Sequence, residues 1–186
     1  MTEFLQFVQN GKDAIATFAI IAGGAFALWR WMVDQRWRRV QYAQTLIKEF
    51  LEKENTEKAF EILDTDDPVD FDDGDETITI EMTDEFLIGA LSTFDLKEDN
   101  TDEESIVRDI FDEFFNDLSI FQSHIEAKLV HLNDISPYLE YWMRALTGRE
   151  KIRGMEFAQQ AAKFLTYFGY KRVLVLAANM KSGFPS

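Results

Sequence analysis

Residues 14–33 carry the sequence AIATFAIIAGGAFALWRWMV, the longest apolar stretch of the 186-residue chain. Its first part, Ala14 to Trp29, has no charged residue, and Thr17 is the only polar one. Arg30 is the single charge in the whole stretch. A helix of about 20 such residues matches a hydrocarbon core of roughly 30 Å. The stretch therefore predicts a transmembrane helix over residues 14–33.

Three other interpretations of this stretch stay open. A buried core helix is one, because the uncharged part is shorter than a full span. A cleaved signal peptide is another, although residues 1–13 lack the basic segment that such peptides carry. An amphipathic helix lying in the membrane interface is the third, although the stretch is apolar on all sides.

The flanks of the span predict its orientation. Basic residues follow the span, whereas Lys12 alone precedes it. Because an excess of Lys and Arg marks the cytoplasmic side, we expect the N-terminus outside and residues 34–186 in the cytoplasm. Residues 1–13 are expected to form a short interfacial segment. The predicted membrane-interface residues are Trp29, Arg30, Trp31, Arg36, Trp37, Arg38 and Arg39.

Small residues recur along one face of the predicted span. Ala16, Ala19, Gly23 and Ala27 are spaced by three or four positions, so they share one helix face. Small residues at this spacing let helices approach closely in lipid. We expect this face to mediate association between copies, although Ala and Gly are also simply common in membrane helices.

Charge is distributed unevenly along the chain. Residues 1–53 carry a net charge of +2, residues 54–117 of −21, and residues 118–186 of +4. The overall charge of −15 argues against nucleic-acid binding, which needs basic surface. The absence of cysteine from the sequence excludes disulfides and thiolate metal sites.

The remainder of the chain predicts a helical domain with one small β-hairpin, so the fold class is all-α with a hairpin insertion. The helical pattern resumes after the span without Gly or Pro, which predicts one helix continuing from it. Further helices are predicted over 56–63, from a Thr83 cap through Phe94, from Thr101 or Asp102 through Leu129, from Ser136-Pro137 to Gly148, and from Met155 to about Met180, with Gly169 as a candidate kink.

The acidic stretch from Asp64 to Glu76 admits two interpretations. A calcium-binding loop requires oxygen ligands at fixed spacing around a glycine, and setting Gly74 in that role puts Val69, Phe71 and Ile80 at ligand positions. That match fails. Alternation of apolar and acidic residues instead predicts a hairpin over about 64–82. Weak binding of a divalent cation remains open.

The sequence offers little catalytic chemistry. It has no glycine-rich phosphate loop and no nucleophile elbow. His124 and His131 would share one helix face if their helix persisted, but they lack a metal-binding spacing. We therefore predict no enzyme, cofactor or metal; an acidic pair such as Asp109 and Glu113 is the remaining catalytic alternative. A candidate basic contact patch, for the acidic segment of a neighbouring subunit, anionic lipid or a phosphorylated ligand, comprises Arg144, Arg149, Lys151 and Arg153. The alternative is that these are ordinary solvated loop charges.

Three runs carry a resemblance: RWRRVQYAQTLIKEFLEKENTEKAFEILD (37–64), VRDIFDEFFNDLSIFQSHIEAKLVHLNDISPYLEYWMRAL (107–146) and AKFLTYFGYKRV (162–173). In these the chain resembles an uncharacterised family of bacterial single-span membrane proteins with a helical cytoplasmic domain. Its layout is also similar to that of accessory membrane-pore proteins of RNA-guided antiviral systems. These resemblances imply an accessory effector of a bacterial stress or antiviral system and carry over no site residues.

Two functional hypotheses follow. The first is a non-enzymatic homo-oligomer that acts at the membrane as a pore or scaffold. The alternative is a monomeric membrane anchor whose acidic domain binds a basic partner protein or a divalent cation.

Overall fold

The structure is a computed structural model. It describes the backbone of residues 2–73, 76–93 and 100–185, and side chains over 18–71, 77–93 and 100–185. The described part is mostly helical, with 73% helix and one two-stranded antiparallel hairpin, which confirms the predicted fold class at that level. Its elements are α1 (Thr2–Leu51), α2 (Glu54–Asp64), β1 (Val69–Asp73), β2 (Glu76–Ile80), α3 (Asp84–Ala90), α4 (Asp102–Glu126), α5 (Leu132–Leu146), α6 (Met155–Tyr167) and α7 (Lys171–Asn179).

The chain divides into two compact units, residues 1–41 and 42–186. Helix α1 covers both the predicted span and the helix predicted to follow it, without a break between them. Among the residues that the structure describes, no helix is long and apolar enough for a membrane crossing. The predicted span begins at Ala14, and the side chains of residues 14–17 lie outside the described residues.

The core of the second unit is built around α4. Thr101 caps this helix: its hydroxyl accepts the Glu104 amide, and the Glu104 carboxylate accepts the Thr101 amide at 3.0 Å. One face of α4 is buried and rich in phenylalanine, and α2, α3 and α7 pack against the helix. Its buried apolar residues are Val107, Ile110, Phe111, Phe114, Phe115, Leu118 and Phe121. The predicted start of this helix at Thr101 or Asp102 is confirmed.

The last ten residues of α1 contribute to the same core. Phe50 stacks on Phe114 with ring centroids 5.9 Å apart and meets Phe121 edge-on at 5.1 Å. On the neighbouring side, Phe60 of α2 stacks flat on Trp142 of α5 at 3.8 Å. These ring pairs fix four helices around one aromatic centre.

The predicted hairpin is confirmed. Val69 pairs with Ile80 and Phe71 pairs with Ile78. Val69, Phe71 and Ile80 are buried, while Asp70 between them is exposed and accepts the Thr79 hydroxyl at 2.6 Å. The alternation of apolar and acidic residues thus separates a core face from a solvent face. Gly74, predicted to form the turn, lies outside the described residues.

Two predicted helix ends are wrong. The helix capped by Thr83 ends at Ala90, before Phe94, which lies outside the described residues. Helix α5 begins at Leu132 rather than at Ser136-Pro137, because the Asp134 carboxylate accepts the His131 amide at 3.0 Å and caps an earlier start. Pro137 consequently lies inside the helix.

The predicted single helix over 155–180 is two helices. Gly169 has φ +84°, a left-handed conformation that ends α6. The Tyr170 amide then bonds back to the Leu165 carbonyl at 2.8 Å, which is the hydrogen bond of a Schellman motif. Gly169 is therefore a helix terminator rather than a kink.

Replacing Gly169 tests this conformation. Gly169→Ala is expected to lower the free energy of unfolding by about 1–2 kcal/mol, because Ala resists a left-handed backbone. A Cβ at this position meets no atom within 4 Å, so the loss reflects backbone strain alone. Gly169→Asn should lose less, since Asn tolerates this region. Urea unfolding followed by circular dichroism measures both, and equal losses would contradict the explanation.

Candidate functional site

The first candidate site is the exposed part of α1. Every side chain from Phe18 to Arg38 is exposed, although most of them are apolar. Phe18 and Ile20 are 73% and 75% exposed, and Trp37 is 63% exposed. The large exposed apolar residues here are Phe18, Ile20, Ile21, Phe26, Leu28, Trp29, Trp31, Met32, Val33 and Trp37. An apolar surface of this extent normally marks contact with a membrane or another protein.

The predicted small-residue face lies within this surface. Ala19, Gly23 and Ala27 are exposed, and a Cβ added to Gly23 would meet no atom within 4 Å. The side chain of Ala16 lies outside the described residues. The described part of the face is therefore open to a close helix neighbour.

The predicted interface residues are also accessible, with one exception. Trp29, Trp31, Arg30, Arg36 and Arg38 are exposed, whereas Arg39 is half-buried. Trp29 also contacts Phe26, with ring centroids 5.8 Å apart. Accessible tryptophan and arginine side chains are the type that anchors a helix at a lipid headgroup layer.

The candidate basic patch is not a surface cluster as a whole, because Arg153 is buried. Its side chain has no exposed area. Its guanidinium donates to the carbonyl oxygens of Ile62, Thr65 and Met82, the last at 2.7 Å. It also contacts the carboxylates of Asp66 at 3.1 Å and Asp84 at 3.2 Å. Arg153 is thus a structural residue, and its predicted role in surface contact is wrong.

Asp84 links this arginine to the next helix. Its second carboxylate oxygen accepts the Gly154 amide at 2.7 Å. The acceptors of Arg153 lie at the end of α2 and at the start of α3, on either side of the hairpin. We call these acceptors and Arg153 the arginine clasp.

The other three residues of the candidate patch are partly engaged within the chain. Arg144 pairs with Glu150 at 2.8 Å. Arg149 donates to the carbonyl oxygens of Lys181, at 2.8 Å, and Gly183. Lys151 is exposed. All three residues are nevertheless exposed, and the Arg144 side chain keeps 48% of its area accessible, so the predicted patch without Arg153 remains at the surface.

The two histidines do not share a helix face. Helix α4 ends at Glu126, and Lys128 takes a left-handed conformation with φ +59°. His131 precedes α5, so the expectation of a common face is wrong. No group of three His, Asp or Glu residues with metal-binding proximity occurs in the described ranges.

Two tyrosines have perturbed pKa values with clear causes. The Tyr141 hydroxyl donates to the Asp64 carboxylate, and this hydrogen bond raises the pKa of Tyr141 to about 12. Burial raises the pKa of Tyr170, whose hydroxyl donates to Asp112 at 3.2 Å, and burial also raises the pKa of Asp112. The first bond joins α5 to α2, and the second joins the start of α7 to α4. These two hydrogen bonds therefore help to hold the helices of the second unit in place.

The alternative acidic pair is split between different surroundings. Glu113 accepts a hydrogen bond from the Asn55 amide group, whereas Asp109 is exposed and lines a groove between α2, β1 and α4.

Comparisons of the chain with protein-family models, curated proteins and solved structures give no match.

The arginine clasp predicts that two neighbouring cations, Arg153 and Lys151, contribute very differently to the free energy of unfolding. Arg153→Met should lower the free energy of unfolding by about 3–5 kcal/mol, because it leaves buried carbonyls and carboxylates without their donor. Lys151→Met, which changes the same charge at an exposed position, should change it by less than about 0.5 kcal/mol. Urea unfolding of the full chain measures both. Similar small effects would show that the clasp does not hold the fold.

Proposed function

We propose that this protein is a non-enzymatic, homo-oligomeric protein of the bacterial inner membrane, anchored by residues 14–33 and acting there as a pore or scaffold. The exposed apolar surface of α1 carries the proposal. A helix that is apolar on all sides requires an apolar environment around it. Hydrocarbon supplies that environment around the whole circumference, which a single neighbouring protein does not.

The residues at the end of the apolar segment support an anchored orientation. Tryptophan and arginine side chains follow it, and those at 29–38 are exposed. Indole rings favour the headgroup layer, and cationic side chains favour the cytoplasmic leaflet. The second unit, which α1 joins at residue 42, would then be cytoplasmic.

The open small-residue face supports association between copies. In lipid, the hydrophobic effect does not draw helices together, so close packing of small residues contributes strongly. Ala19, Gly23 and Ala27 present such a surface with no described atom covering Gly23. The predicted layout, one span before a helical domain, is similar to that of accessory membrane-pore proteins of RNA-guided antiviral systems, and we infer from that resemblance a role as an accessory effector of a bacterial stress or antiviral system.

The mass of the full-length protein in mild detergent, corrected for the micelle, tests association. We expect a closed oligomer for the natural chain and a smaller species for Gly23→Leu, because Leu holds helices apart. Gly24→Leu is the matched control, since it makes the same substitution at the adjacent position, about 100° away around the helix. Its oligomer should persist.

A monomer at all protein concentrations would contradict the oligomer and favour the alternative of a monomeric anchor. Loss of assembly in both glycine variants would contradict the proposed packing face alone. Conductance across liposomes that contain the oligomer then separates a pore from a scaffold.

The lack of cysteine permits a clean test of orientation. In intact spheroplasts, a membrane-impermeant maleimide should label Thr2→Cys but should label Lys151→Cys only after the membrane is opened. This difference follows from the N-terminus lying outside. Labelling of Lys151→Cys in intact spheroplasts would contradict the orientation, and recovery of the protein in the soluble fraction would contradict the anchor.

A further inference from the structure

A groove with an apolar floor lies between α2, β1 and α4 in the second unit. Its lining residues are Glu54, Asn55, Lys58, Phe71, Ile106, Asp109 and Ile110, and its volume is about 240 Å³. We call it the acidic groove. Phe71 and Ile110 are nearly buried, at 5% and 6% exposure, while Ile106 is half-buried. The floor is therefore a small apolar surface, of which Ile106 is the most exposed part.

Two acids lie exposed at the rim of the acidic groove. Glu54 and Asp109 are exposed, and neither forms an ion pair within the part of the chain that the structure describes. The nearby Glu113 carboxylate accepts a hydrogen bond from the Asn55 amide group.

Among the described residues that line the acidic groove, the cation Lys58 is already engaged. The Lys58 ammonium contacts Glu61 at 3.0 Å and donates to the Asp70 carbonyl at 2.8 Å. It also lies 5.5 Å from the centroid of the Phe71 ring. Lys58 therefore shows that a cation on an aliphatic stem fits beside this ring, and its charge is balanced by Glu61 rather than by the rim acids.

We propose that the acidic groove binds a basic amphipathic segment of a partner protein. An apolar side chain of that segment would contact Phe71, Ile106 and Ile110. Its Lys or Arg side chains would pair with Glu54 and Asp109. Opposite charge across an interface favours encounter and sets the register of binding, and here the whole segment 54–117 carries a net charge of −21.

The chemistry of the groove selects this occupant over others. Nucleic acid and anionic lipid would meet the rim acids with like charge. A divalent cation prefers several oxygen ligands without an apolar floor. A basic segment uses both the floor and the rim. The inference requires neither membrane anchoring nor association between copies.

The test uses a fluorescent peptide of about 15 residues, long enough to form a helix, with leucine on one face and lysine on the other. A peptide with glutamate in place of lysine is the control probe. Fluorescence anisotropy with the full-length protein in neutral detergent should show binding of the lysine peptide only. The affinity should fall as salt rises, because ions screen the exposed charges.

Matched variants of the protein locate the binding. Glu54→Gln combined with Asp109→Asn should weaken binding about tenfold, which corresponds to about 1.4 kcal/mol. Glu57→Gln combined with Glu85→Gln removes the same charge from exposed positions outside the groove and should weaken it less than twofold. Ile106→Ser tests the floor and should weaken binding without changing the charge. Circular dichroism checks that each variant folds.

Equal weakening by both double variants would overturn the site and indicate attraction to the acidic domain as a whole. Unchanged binding by Ile106→Ser would overturn the apolar part of the interaction. No binding of the lysine peptide to the natural chain would overturn the inference entirely. The oligomer mass is measured without the peptide, so failure here is distinct from failure of the proposed function.

Discussion

The buried guanidinium of Arg153 is the constraint on which the second unit depends. A charge without exposed area is stable only where acceptors surround it, and these come from both sides of the hairpin: Ile62 and Thr65 before it, Met82 and Asp84 after it. One side chain therefore fixes where α2 ends, where the hairpin leaves the helical body, and where α3 begins. The arginine clasp thereby holds the two ends of the hairpin close to each other.

The sequence was sufficient to predict the secondary-structure elements whose apolar residues recur at regular spacing. The phenylalanines of α4 recur at helical spacing, and the alternation around Val69 and Ile80 gave the hairpin and its buried face. The helix ends were harder, because they depend on single backbone conformations. Lys128 and Gly169 adopt positive φ, and the cap between His131 and Asp134 places the start of α5 ahead of Pro137. Apolar periodicity carries no information about these local choices.

The basic cluster shows a different limit of sequence reasoning. Arg144, Arg149, Lys151 and Arg153 look alike in the sequence, yet Arg153 is buried while the other three are exposed. The acceptors of Arg153 at Ile62 and Met82 lie 91 and 71 residues away along the chain. Only the three-dimensional arrangement brings them together. The acidic groove escaped prediction for the same reason, since its floor and rim come from α2, β1 and α4.

In the proposed anchored protein, the negative charge of the membrane surface affects both the basic residues of α1 and the basic segments that the acidic groove would bind. An anionic cytoplasmic leaflet would attract arginines such as Arg36 and Arg38. Its field would also concentrate basic segments of other proteins near the membrane, and lipid headgroups would compete with the acidic groove for them. To such a segment, lipid presents negative charge and a broad apolar layer. The groove instead presents a defined apolar floor beside two carboxylates. Selectivity for a partner therefore depends on the fit over Phe71 and Ile106 more than on the net charge of the domain.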